Sequence, residues 1–182
     1  MVWGVEDIVM CPGKEDMFRF LEDIVREVVP LFPGKYFHIG GDECPKTSWK
    51  NCPTCQKRIQ AEGLQADGKH SAEERLQSYV IKRMEKMLAK YDRKIIGWDE
   101  ILEGGLSPDA TVMSWRGTSG GISAALQKHD VIMTPGSGGL YLDHYQGDYK
   151  IEPVTIASSP AYLSKTYNYE PVPDTIKSLG LE

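Results

Sequence analysis

Two observations predict an α/β fold with parallel strands. Helical and strand-like segments alternate along the chain. The chemically suggestive residues fall at the far ends of the strand-like runs, where α/β proteins build their sites. Over residues 14–29 the apolar side chains Met17, Phe20, Leu21, Ile24, Val25 and Val28 recur at helical spacing, which marks an amphipathic helix. Pro30 and Pro33 end it. The short apolar run at 36–39 reads as a strand, followed by a long polar loop and a short helix near 56–62. Ser71 with Glu74 three residues later forms a capping-box signature, and Leu76, Val80, Met84, Met87 and Leu88 continue the helix it opens. Strands at 94–98 and 111–115, a helix at 121–128 and a strand at 131–134 complete the pattern. Residues 148–182 are rich in Pro and Tyr and show no clear period.

The chain has 182 residues, 41% hydrophobic and 26% charged, with a formal net charge of -5. That is the composition of a globular protein long enough for one real core. Mixed charge signs and a net negative balance argue against a nucleic-acid partner, which requires a basic face. No apolar run approaches the roughly 20 residues that span a bilayer, and Met1-Val2-Trp3-Gly4 lacks the basic-then-apolar plan of a signal peptide. Of the four cysteines, Cys52 and Cys55 have the spacing of a zinc knuckle or a redox pair, with Cys44 close enough in sequence to be a third ligand and His70 only a distant fourth. Without a second close pair, the ligand count favours free thiols or a disulfide among Cys44, Cys52 and Cys55, so no metal is expected.

The most informative stretch is His38-Ile39-Gly40-Gly41-Asp42-Glu43. Side chains alternate along a strand, so adjacent carboxylates can serve one ligand only where the strand ends and the backbone turns. Gly40 and Gly41 permit that turn. Adjacent carboxylates repel, which favours one holding a proton while the other stays ionised. Asp99 and Glu100 repeat the pair without a glycine hinge, so Glu100 is expected to make a structural contact or one at the rim of the ligand site. His38 is expected to play a supporting or core role, and Arg116 to form an ion pair.

Three further motifs follow in order: Ile96-Gly97-Trp98-Asp99-Glu100, Met113-Ser114-Trp115-Arg116-Gly117 and Leu140-Tyr141-Leu142-Asp143. Together with the first, the series resembles the family 20 glycoside hydrolases, the β-N-acetylhexosaminidases. The resemblance runs from about Cys11 to Pro171. It implies a (β/α)8 barrel of which this chain holds about strands 4 to 7, a single partial catalytic domain over 1–182 with 148–182 as its tail. The early-strand Arg and the closing Trp with its nearby Glu that the family uses are not found here, so activity of such a fragment alone is not expected. Its open strand edges favour self-association, for instance as a homodimer.

The resemblance also assigns roles. Glu43 corresponds to the general acid/base and Asp42 to the carboxylate that orients the sugar's 2-acetamido group in a substrate-assisted reaction. Trp98 and Trp115 correspond to walls of the acetamido pocket, Tyr141 to the phenol that donates to the acetamido oxygen, and Asp143 to a sugar-hydroxyl ligand. Tyr145 competes with Tyr141 on spacing. No cofactor is implied, and the expected partners are glycans ending in N-acetylhexosamine. Relatives of this family are commonly exported or lysosomal, which is the location implied for the parent protein. A non-catalytic carbohydrate-binding or oligomerising α/β module is the alternative of a different class.

Overall fold

The computed structural model describes residues 8–136, 140, 144–155 and 157–181. It divides into two compact units, 1–110 and 111–182. In the first unit the elements are α1 (Glu15–Val28), β1 (Tyr36–His38), α2 (Thr47–Lys50), α3 (Pro53–Ala61), α4 (Ala72–Ala89) and β2 (Lys94–Trp98), with a 3-10 turn over Asp99–Leu102. β1 and β2 pair in parallel with Phe37 opposite Ile95. Beyond the last paired residue the ladder continues, as Ile39 N–H donates to Ile96 O and Trp98 N–H to Gly40 O, each at 2.9 Å.

The long helix α4 is the spine of this unit. Ser71 caps it with the reciprocal bonds the sequence predicts: Glu74 N–H donates to Ser71 Oγ at 3.2 Å, and Ser71 N–H to Glu74 Oε2 at 2.6 Å. Its inner face buries Leu76, Ile81, Met84, Met87 and Leu88. Polar groups on the same helix hold the loop that follows β2. Arg75 donates to Gly104 O at 2.9 Å and Ser78 to Gly105 O at 2.6 Å. Gly104 fits because its φ is +79° and a Cβ there would lie 1.9 Å from Glu74 O.

The buried stripe of α1 differs from the one its periodicity suggests. Phe20 and Ile24 are 56% and 41% exposed, while Phe18 is buried at 2%. Phe18 is captured by α4: the Arg83 guanidinium sits 3.9 Å above its ring and Tyr79 meets it edge-on at 6.0 Å. Arg83 is anchored in turn by Glu15 at 3.0 Å. An aromatic face under a cation competes well with a purely apolar neighbour. The segment after Glu43 also holds more structure than its polar sequence suggests. α2 buries Trp49, whose Nε1 donates to Met10 O at 2.9 Å. α3 begins earlier than expected because Pro53 occupies its first turn, where a missing N–H costs nothing.

In the second unit β3 (Thr111–Ser114) and β4 (Val131–Met133) pair in parallel on either side of α5 (Ser119–Leu126), with Met113 opposite Ile132. The segment read from sequence as irregular contains short elements: β6 (Ala157–Pro160), which pairs with β5 (His144–Tyr145), and the helices α6 (Leu163–Tyr167) and α7 (Asp174–Lys177). Each is too short for a hydrophobic period to register. No helix among the described residues is long and apolar enough to cross a membrane.

The capping box supplies a direct test of the spine. Ser71→Ala should destabilise the protein by about 1 kcal/mol, the usual worth of an N-cap side chain. Chemical denaturation should show a lower midpoint at unchanged slope.

Candidate active site

The site begins where β1 runs out. Gly40 and Gly41 take φ of +72° and +97°, which turns the chain out of the strand as the paired glycines predict. Asp42 and Glu43 follow, both exposed. Glu43 itself has a φ of +45°, a left-handed conformation that costs a non-glycine residue about 1–2 kcal/mol. Strain of this kind collects at functional positions held by their surroundings. Here the far side of the turn is held by an ion pair between Lys46 and Glu103 at 2.9 Å, with both side chains largely sheltered. Its near side is held by Gln77, whose amide donates to Gly41 O at 2.9 Å.

The end of β2 comes up beside this turn. Gly97 allows the close approach, since a Cβ there would lie 2.6 Å from Ile101 Cγ2 and 3.2 Å from Gly40 O. Trp98 then faces His38, ring to ring at 4.7 Å and 61°. His38 is exposed rather than a core residue, and its Nδ1 accepts the Gly40 N–H at 3.1 Å. Partial desolvation holds the imidazole below its ordinary pKa, and the Asp42 carboxylate offsets part of that fall. Asp42, Glu43 and Trp98 are thus gathered at the C-terminal ends of two adjacent parallel strands. Cys44, next in the turn, is half-buried, and burial pushes its thiol above the usual range.

Asp99 and Glu100, the second acidic pair, differ from the first in burial. They are 2% and 5% exposed and lie in the 3-10 turn after β2. In the second unit Trp115 stands one residue past β3, half-buried, with its carbonyl accepting the Gly136 N–H at 3.0 Å. Arg116 beside it is exposed. Tyr145 sits in β5 with its ring edge-on to Tyr149 at 6.3 Å. Tyr141 and Asp143 lie outside the described residues.

Two residues of the site escape the sequence motifs. Lys46 has no local signal. Gln77 has one, because it shares a helical stripe with Ile81, Met84 and Leu88, and a polar side chain on a buried face requires a partner. The cysteines also differ from their sequence spacing. Cys44 is not the third member of a group with Cys52 and Cys55; that place belongs to Cys11, which the fold brings to them from the loop before α1. Among the described residues no cluster of potential metal ligands includes Asp42 or Glu43.

Adjacent carboxylates on a strained turn, beside an aromatic face at the ends of parallel strands, are the equipment of an α/β glycoside hydrolase. Comparison with known proteins agrees. The model of the glycosyl hydrolase family 20 catalytic domain matches residues 1–180. A β-hexosaminidase from Porphyromonas gingivalis is 61% identical over 173 residues, which cover 95% of this chain and 21% of the relative. A β-hexosaminidase from Vibrio furnissii is 34% identical over 167 residues, 91% of this chain and 26% of its own. The crystal structure of a family 20 exo-β-N-acetylglucosaminidase from Vibrio harveyi, in complex with N-acetylglucosamine, superposes with a TM-score of 0.78 at 30% identity, over 93% of this chain and 26% of that one. The chain belongs to glycoside hydrolase family 20. Its structural neighbours are (β/α)8-barrel enzymes of which it covers only a part, and it spans about a fifth to a quarter of the two relatives' lengths.

The electrostatic coupling between Asp42 and His38 is measurable. Because the Asp42 charge raises the imidazole pKa, Asp42→Asn should move the His38 titration to lower pH, read from its ring proton resonances by NMR. An unchanged midpoint would show that the two groups do not sense each other.

Proposed function

We propose that this chain supplies the acid and the orienting carboxylate of a β-N-acetylhexosaminidase, which removes terminal β-linked GlcNAc or GalNAc from the non-reducing end of glycans by substrate-assisted retaining catalysis. The observation that carries the reading is the Asp42-Glu43 pair, exposed on its left-handed turn beside Trp98. The family match and the name of the 61% identical relative support it. Since the chain covers a minor share of its relatives, the activity is proposed for the whole protein that contains it.

In this reading Glu43 donates its proton to the glycosidic oxygen as the bond from that oxygen to the anomeric carbon breaks. The substrate's own acetamido carbonyl oxygen closes on the anomeric carbon from the opposite face, forming an oxazolinium ion. Asp42 accepts the acetamido N–H and balances the positive charge that develops there. Glu43, now a carboxylate, takes a proton from water as the water oxygen attacks the anomeric carbon and reopens the ring. Two displacements leave the configuration as it began. Trp98 and Trp115 would flank the acetamido methyl and exclude water, Tyr141 would donate to the acetamido oxygen, and Asp143 would bind a sugar hydroxyl. The chemistry uses no cofactor.

General acid help, worth about 10²–10⁴-fold, matters most when the leaving group is poor. Glu43→Gln in the whole protein should therefore lose most of its activity on chitobiose and far less on activated aryl glycosides. Equal losses on both would remove the acid role from Glu43.

The acetamido group is tested separately. A thiazoline mimic of the oxazolinium ion should inhibit competitively, and 2-hydroxy glucosides should turn over poorly. A sugar trapped covalently on Asp42 or Glu43 would point to a two-carboxylate mechanism instead.

A further inference from the structure

Away from the carboxylates, three sulfurs converge. Cys11 Sγ lies 3.6 Å from Cys52 Sγ and 3.4 Å from Cys55 Sγ, and all three fall within 4.8 Å of one another. Cys55 is fully buried and the other two are half-buried. Two Cys-Pro corners build the cluster. Cys11-Pro12-Gly13-Lys14 forms a turn closed by Lys14 N–H to Cys11 O at 3.1 Å. Cys52-Pro53-Thr54-Cys55 opens α3. The corners meet backbone to backbone, for a Cβ on Gly13 would stand 2.4 Å from the Thr54 carbonyl carbon and 2.7 Å from Cys55 N. The sulfurs are therefore brought together by the packing of two distant chain segments, on a floor of Trp49, Ile59 and Leu76.

A disulfide would use two of these sulfurs and leave the third packed against it. Cys11 stands almost equally far from both of its neighbours, which favours neither bond. A tetrahedral ion with metal–sulfur bonds of about 2.3 Å places its sulfurs about 3.8 Å apart and engages all three. We propose that Cys11, Cys52 and Cys55 bind a zinc ion through three thiolates, with water or another donor in the fourth position. Thiolate ligands select such a soft-accepting ion, and each thiol releases its proton on binding. The ion would lock the start of α1 to the start of α3. The segment carrying Asp42 and Glu43 would then run between two fixed points, the β1–β2 ladder and the zinc corner. The inference does not depend on the proposed reaction.

The test uses the whole protein, purified with reductant and without chelator. Elemental analysis should find about one zinc per chain. Cys11→Ser and Cys52→Ser should each lose it, and Cys44→Ser, which alters a thiol outside the cluster, should keep it. Cobalt(II) exchanged into the unmutated protein should give a thiolate-to-cobalt charge-transfer band, a readout that holds even if the serine variants fail to fold. Removal of the zinc should lower the melting temperature. Zinc-free protein without the cobalt band would overturn the proposal. So would zinc retained by folded Cys11→Ser and Cys52→Ser, or a Cys11–Cys52 or Cys11–Cys55 disulfide in peptides mapped from the protein as purified, before any metal is removed.

Discussion

One buried carboxamide sets the position of both strand-end loops in the first unit. Gln77, 3% exposed, donates to Gly41 O at 2.9 Å and lies 3.5 Å from Glu100 O. Neither carbonyl belongs to the regular ladder. Glu100 O also accepts the Glu103 N–H at 3.0 Å, whereas Gly41 O relies on Gln77, and a buried polar group that loses its partner costs about 1–3 kcal/mol. The turn after β1 and the turn after β2 are therefore positioned by the same side chain, and that side chain is positioned by α4. Everything that fixes α4 in place, including its capping box and the Arg75 and Ser78 bonds to the glycine loop, is felt at Asp42 and Glu43.

Against this rigid support the turn itself is strained. Gly40 and Gly41 adopt positive φ freely, but Glu43 does so against the preference of any residue with a Cβ. The support is distributed: the Trp98 N–H to Gly40 O bond on one side, the Lys46–Glu103 ion pair on the other, and Ile101 packed beneath Gly97 and Gly41. An exposed carboxylate is held by buried neighbours, which is how a polar group can be both accessible to a sugar and fixed in direction.

Features encoded within a few residues were readable from the sequence. The glycine hinge, the Ser71–Glu74 box, the individual strand-forming runs and the motif order of the family all depend on neighbours in the chain. What could not be read depends on partners far away in sequence. Phe18 displaces Phe20 from the buried face because Arg83 and Tyr79 arrive from α4. Cys11 displaces Cys44 from the cysteine group because two Cys-Pro corners pack together across the unit. Gln77 looks like one more polar helix residue until Gly41 O is placed against it. α2 and the two short helices of the second unit are shorter than the windows over which apolar periodicity can be recognised.

The parallel pairing of β1 and β2 carries a kinetic consequence. Three helices lie between those strands, so the ladder that shapes the carboxylate turn joins segments far apart in sequence and must overcome a loop-closure entropy before it gains any bond. α4 can begin to form from its own cap and periodicity, but the Gly40–Trp98 bond cannot precede the docking of the strands. The turn therefore takes its shape only once the two strands have docked. A change in the body of α4, remote from any sugar, reaches the carboxylates by altering how often the chain holds the shape that presents them.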